Sequence, residues 1–169
     1  MTEWLRLDDL DRLLASVDVF EPLTPPELRA LTRGASLEHL GAGEGMTVEP
    51  WEHARRMIVL LSGRTAVYEP GPRGHGLTLS VAEAGTVVGV AGLSERARGL
   101  RVVATMPSLL CLMALEAFEG VVRRNSEVGL RLVRVLGERI GGLEERLAEL
   151  AYGEVTARLA GAILRLAEG

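Results

Sequence analysis

Apolar residues in the first seventeen positions fall at Leu5, Leu7, Leu10, Leu13, Leu14 and Val17, with Asp8, Asp9, Asp11 and Arg12 between them. That near-helical spacing predicts a short amphipathic helix. Thr24-Pro25-Pro26-Glu27 then carries the parts of a capping box. The threonine oxygen serves free backbone N–H groups, the glutamate three residues on returns the bond, and proline is tolerated in a first turn that has no use for its N–H. A second helix is expected from about Pro25 to Arg33.

From Leu37 to Leu115 the texture changes to short β-type runs: Met46–Val48, Arg56–Leu61, Thr65–Tyr68, Gly76–Val81, Thr86–Val90, Leu100–Thr105 and Leu109–Leu115. Turn residues separate them at Gly41–Gly45, Ser62-Gly63, Pro70–Gly74, Ala84-Gly85 and Pro107-Ser108. Spacing this regular argues for an antiparallel barrel or jelly roll rather than βαβ units. After Leu115 the pattern is helical: a short helix from Glu116 to Arg124, cap residues at Asn125-Ser126, and a long helix from about Glu127 to Ala151.

Within the long helix Leu132, Leu136, Ile140, Leu143, Leu147 and Leu150 recur at steps of four, four, three, four and three, a heptad seam after the first step. Glu144, Glu145, Arg146 and Glu149 flank it. A helix of about 25 residues is roughly 37 Å long, more than a small β-roll is wide. Pairing with a twin helix is therefore the expected cover for the stripe, with packing onto the chain's own strands as the alternative. Gly137, Gly141 and Gly142 each cost about 0.8–1 kcal/mol relative to alanine in a helix interior, which fits close approach of two backbones or a flexible point. The stretch from Thr156 to Gly169 reads as a further amphipathic helix through Leu159, Ile163 and Leu166.

Composition narrows the function classes. At 169 residues, 47% apolar, the chain suits one β-rich unit plus helices. Its 19 basic residues are all arginine, the net charge is −4, and no basic run stands out, so binding of nucleic acid by this chain alone is not expected. The single cysteine, Cys111, lies in an apolar run and reads as a small buried hydrophobe. With Glu3, Asp8 and Asp9 near the start and no apolar stretch of spanning length, a cytoplasmic protein without membrane contact is expected. His39, His53 and His75 are isolated and lack the paired spacing of a metal site in a β-roll enzyme; no metal, cofactor or catalytic residue is expected. Gly71-Pro72-Arg73-Gly74-His75-Gly76 joins two strand-like runs and reads as a hairpin loop, without the helix that a dinucleotide loop opens.

The order of short helices, β-roll, short helix and long heptad helix, taken with particular motifs, resembles the CRP/FNR superfamily of bacterial transcription regulators. The motifs are Val19-Phe20-Glu21-Pro22-Leu23-Thr24; Leu61-Ser62-Gly63-Arg64 with Val67-Tyr68; Ala84-Gly85-Thr86-Val87-Val88-Gly89; Arg98 ahead of Val102-Val103-Ala104; and Leu150-Ala151-Tyr152-Gly153-Glu154-Val155 leading to Arg158-Leu159-Ala160. The resemblance implies an α+β fold: an antiparallel β-roll (jelly roll) flanked by short N-terminal helices and followed by a long dimerisation helix. It divides the chain into a cyclic-nucleotide-binding-like sensor over residues 1–125, the dimerisation helix over 126–153, and residues 154–169 as the first helix of a DNA-binding domain otherwise missing. DNA would be contacted only through that domain, and the chain ends about where it should begin.

The resemblance also implies a homodimer holding a small-molecule effector in the roll. The seam is Leu132, Leu136, Ile140, Leu143, Leu147 and Leu150, with a hinge at Tyr152, Gly153 and Glu154. Its pocket falls on Gly89, Val90, Ala91, Arg98, Gly99 and Leu100, with Leu143 and Glu144 from the long helix. The family's cassette needs an acid for a ribose hydroxyl, an arginine fork for the cyclic phosphate and a hydroxyl to complete the anion site. Here the arginine is kept as Arg98, the acid is replaced by Val90, and Gly99 stands where the hydroxyl should be. Leu143 and Glu144 replace two further hydroxyl residues. These losses remove about 3–6 kcal/mol, on the order of a hundred- to ten-thousandfold in affinity, so cyclic AMP is not the expected effector. The alternative is an effector-independent dimeric scaffold or interaction module, with Val90 and Leu100 filling the former pocket.

Overall fold

A computed structural model of the chain describes residues 7–47, 56–71, 76–88, 100–152 and 163–164. The helices are α1 (Leu7–Ala15), α2 (Pro25–Thr32), α3 (Leu115–Arg124) and α4 (Ser126–Tyr152), with a 3-10 turn at Asp18–Phe20. The strands are β1 (Ser36–Leu40), β2 (Gly45–Thr47), β3 (Arg56–Ser62), β4 (Arg64–Pro70), β5 (Gly76–Glu83), β6 (Thr86–Val87), β7 (Arg101–Ala104) and β8 (Ser108–Ala114). The chain divides into two compact units, residues 1–129 and 130–169, and the division falls inside α4 rather than before it. The reason lies in the helix's first turn: Val128 is fully buried, and a Cβ on Gly129 would sit 3.0 Å from Val122 of α3.

Among the described residues the first unit holds two four-stranded sheets, in the orders β1-β8-β3-β6 and β2-β7-β4-β5, and each of their pairings is antiparallel. This is the expected jelly-roll class. β3 and β8 are apolar without alternation because both of their faces are covered. One row, Ile58, Leu60, Leu110 and Leu112, joins Val67, Ala82, Val88, Leu100 and Val102 in the core between the sheets. The alternate row, Met57, Val59, Cys111 and Met113, is fully buried on the opposite face, where α2 and α3 pack. Phe20 and Phe118 close the helical layer, edge to face at 6.4 Å.

Local chemistry sets the helix and hairpin ends. The capping box of α2 forms, with Glu27 Oε2 accepting from the Thr24 backbone N–H at 2.9 Å and from its hydroxyl at 2.6 Å. These bonds hold the Glu27 carboxyl below the usual carboxylate range. The β3–β4 turn is made by Gly63 at φ +90°, against which Pro107 and Ser108 pack tightly. Ser108 Oγ accepts from the Arg64 N–H at 3.2 Å and lies 2.7 Å from the Met106 carbonyl oxygen, joining that turn to the start of β8.

β1 is the strand that periodicity does not single out. Leu37-Glu38-His39-Leu40 has no two-residue alternation, and the strand exists through its register with β8, from Ser36↔Leu112 to Leu40↔Ser108. The expected helix from Thr156 to Gly169 lies outside the described residues except at positions 163 and 164, which are helical and exposed.

Candidate functional site

Two surfaces carry the expected function: the interior of the roll and the length of α4. In the roll, Leu100 is 8% exposed and belongs to the core between the sheets. The resemblance counts it among the pocket residues, and its side chain is covered by apolar neighbours. Gly89, Val90, Ala91, Arg98 and Gly99 lie outside the described residues. Leu143 and Glu144 are both exposed on α4.

Cys111 sits in the middle of β8 with no exposure, and burial pushes its thiol up to about 11, so it stays protonated and unreactive. His39 lies exposed in β1, while His53 and His75 are outside the described residues. Among the described residues no group of three or more His, Cys, Asp or Glu side chains is placed to hold a metal ion. No described helix is long and apolar enough to cross a membrane.

The apolar stripe of α4 divides in two. Leu132 is buried at 7%, whereas Ile140, Leu143 and Leu147 are 56%, 44% and 64% exposed in the single chain. Leu136 is half-buried, and Leu150 lies in the last turn, where side chains are not described. Val133, which periodicity counted from Leu132 passes over, is 64% exposed. Counted from Val133 the heptad is unbroken: Val133, Ile140 and Leu147 form one row, and Leu136, Leu143 and Leu150 form the other. The signal was present in the sequence, since a start at Val133 removes the one irregular step of four. Gly137, Gly141 and Gly142 would each accept a Cβ with nothing within 4 Å, so packing within the chain does not require glycine there. Of the hinge residues, Tyr152 ends α4, and Gly153 and Glu154 lie outside the described residues.

No family model matches the chain. A CRP-like cAMP-activated global transcriptional regulator from Mycobacterium tuberculosis is 24% identical over 161 residues, covering 94% of this chain and 71% of that one. The sensor domain of the transcriptional regulator DNR from Pseudomonas aeruginosa superposes with a TM-score of 0.63 at 25% identity, over 85% of this chain and 94% of that one. A putative transcriptional regulator of the CRP/FNR family from Eubacterium rectale gives a TM-score of 0.70 at 12% identity, over 89% and 70% of the two chains, a likeness of fold. The relatives of this chain include CRP-like regulators, and its structural neighbours include the sensor region of a transcriptional regulator, a CRP/FNR-family protein and a cyclic nucleotide-binding domain.

Proposed function

We propose, starting from this kinship with CRP-like transcription regulators, that the chain is the effector-sensing and dimerisation region of such a regulator. The observation that carries the reading is the exposed heptad face of α4. Ile140, Leu143, Leu147 and Val133 present apolar surface that a folded protein leaves uncovered only at a cost. A second copy of the same helix covers it, residue against like residue, under two-fold symmetry. In this register Arg139 falls at a g position and Glu144 at the e position five residues on, so a parallel pair brings opposite charges together across the seam. Leu132, buried in the single chain, is not part of that exposed face. The open space at Gly137, Gly141 and Gly142 fits close approach of the partner's backbone.

Cyclic AMP is not the effector in this reading, although the M. tuberculosis relative is named for its activation by it. Val90, Gly99, Leu143 and Glu144 stand where cyclic-nucleotide chemistry asks for an acid and hydroxyls. Effector binding would shift the way two such helices pair, and residues 152–154 would pass the change on to DNA-reading parts of a complete regulator. The experiment is isothermal calorimetry of the chain with cyclic AMP and cyclic GMP. No heat of binding is expected at micromolar nucleotide; a micromolar dissociation constant for either ligand refutes the reading.

The buried position of Leu100 favours a second reading, in which apolar side chains fill the roll and the chain is a constitutive dimeric scaffold. The two readings share the dimer and differ in whether the interior takes a guest.

A further inference from the structure

We infer that Thr65 is a specificity-determining contact inside the roll, its hydroxyl meeting the single hydrogen-bonding atom of a small guest. The part of that guest lodged against β4, β5 and β7 is uncharged and otherwise apolar. The inference rests on the sensor reading above and adds the class of molecule sensed.

Thr65 is the second residue of β4 and has no solvent exposure. It shares the inward face of its strand with Val67, a member of the core between the sheets. Its cross-strand neighbours are Ala82 of β5 and Ala104 of β7, 4% and 1% exposed. The row Ala82–Thr65–Ala104 therefore sets three small side chains side by side, where the adjacent row carries half-buried Ser80 with Val67 and Val102. Thr65 Oγ1 is fully buried and finds no hydrogen-bond partner among the described residues.

The other two buried hydroxyls of the described residues are provided for. Thr32 bonds to Asp11 at 3.0 Å, and Ser108 bonds at Arg64 and Met106. Valine has the shape of threonine without the orphan group, so an apolar core would favour valine at position 65. The hydroxyl is explained if something enters that the protein itself does not supply.

The surroundings say what that something is. Ile58, Leu60, Val88, Leu100, Leu110 and Leu112 complete the core and carry no charge and no side-chain hydrogen-bonding group. A charged guest would lose its hydration against this wall without compensation. A buried water would need two to four polar partners, and the fully buried side chains of this face offer one, the half-buried Ser80 lying in the next row. A neutral molecule with one polar atom directed at Thr65 meets both conditions.

The test is a methyl-resolved NMR titration of the full chain with phenol and with benzene, which differ by one hydroxyl. Phenol is expected to shift the Ala82 and Ala104 methyl resonances saturably, with benzene about three- to tenfold weaker, the yield of one neutral hydrogen bond. T65V, which keeps the shape and the fold, should abolish the difference, and T65S should retain it. Absence of saturable shifts with either probe overturns the inference, as does an undiminished preference for phenol in T65V. Light scattering on the same samples separates the two levels. A dimer indifferent to both probes refutes the Thr65 contact and leaves the pairing of α4 intact, whereas a monomer refutes the reading beneath it.

Discussion

Gly63 and Gly85 offer a controlled measurement of what holds the roll closed at its β3–β4 turn. Both have positive φ, +90° and +84°, so alanine at either incurs the strain of a left-handed backbone, about 1–3 kcal/mol. They differ in what a Cβ would meet. At Gly85 nothing lies within 4 Å; at Gly63 a Cβ would collide with the Pro107 carbonyl oxygen and Ser108 Oγ and sit 2.7 Å from the Ser108 Cα.

Two of those three atoms are backbone, so relief requires moving the start of β8 and with it the Ser108 hydroxyl. That hydroxyl bonds to the Arg64 N–H and to the Met106 carbonyl oxygen, each bond contributing about 0.5–1.5 kcal/mol. G63A should therefore cost about 2–6 kcal/mol against about 1–3 for G85A. For a chain of this size the difference corresponds to a further fall in Tm of roughly 2–12 °C. Paired thermal melts by circular dichroism read it directly. Equal destabilisation by the two substitutions would show that the contacts at Gly63 carry no weight and that backbone strain alone decides.

Three further outcomes are expected. Replacing Leu143 and Leu147 with glutamate buries like charges against each other in a paired α4, so light scattering should show monomers, while the same change at Gly85's neighbour Ala84 should leave the assembly intact; a dimer surviving L143E/L147E refutes the seam. Glu27 has a folded-state pKa below its unfolded value, so the stability it lends is present above the unfolded pKa and is lost as pH falls through the folded one. Denaturant midpoints of the chain and of E27A should thus differ near neutral pH and converge in acid; a constant gap would contradict the capping role. Cys111, with its thiol pushed up to about 11, should resist alkylation by iodoacetamide at pH 8 in the folded protein and react once the chain is unfolded.

Much of the candidate site was legible in residue order, but not its boundaries. The run Leu132 to Leu150 announces an apolar helical face, yet one-dimensional spacing cannot tell which end of it is already covered. Only solvent exposure separates buried Leu132 from exposed Val133, and in the pairing proposed above it starts the seam at Val133. Thr65 is likewise silent in the sequence, a threonine in a strand of ordinary β-type composition. Its significance comes from a register that sets Ala82 and Ala104 on either side and leaves its hydroxyl without a bond among the described residues.

The sequence by itself determined the class of most elements, β1 excepted. Local effects act over a few residues and are written there: the box at Thr24–Glu27, the glycine turn at Gly63, the unalternated apolar runs of β3 and β8, and the 3.5-residue repeat of α4. Tertiary structure alone decided which strands are neighbours, that β8 lies between β1 and β3, and which apolar residues stay uncovered. The physical reason is that burial and pairing are sums over contacts from residues distant in the chain, so a side chain's environment is fixed only when all its partners have arrived.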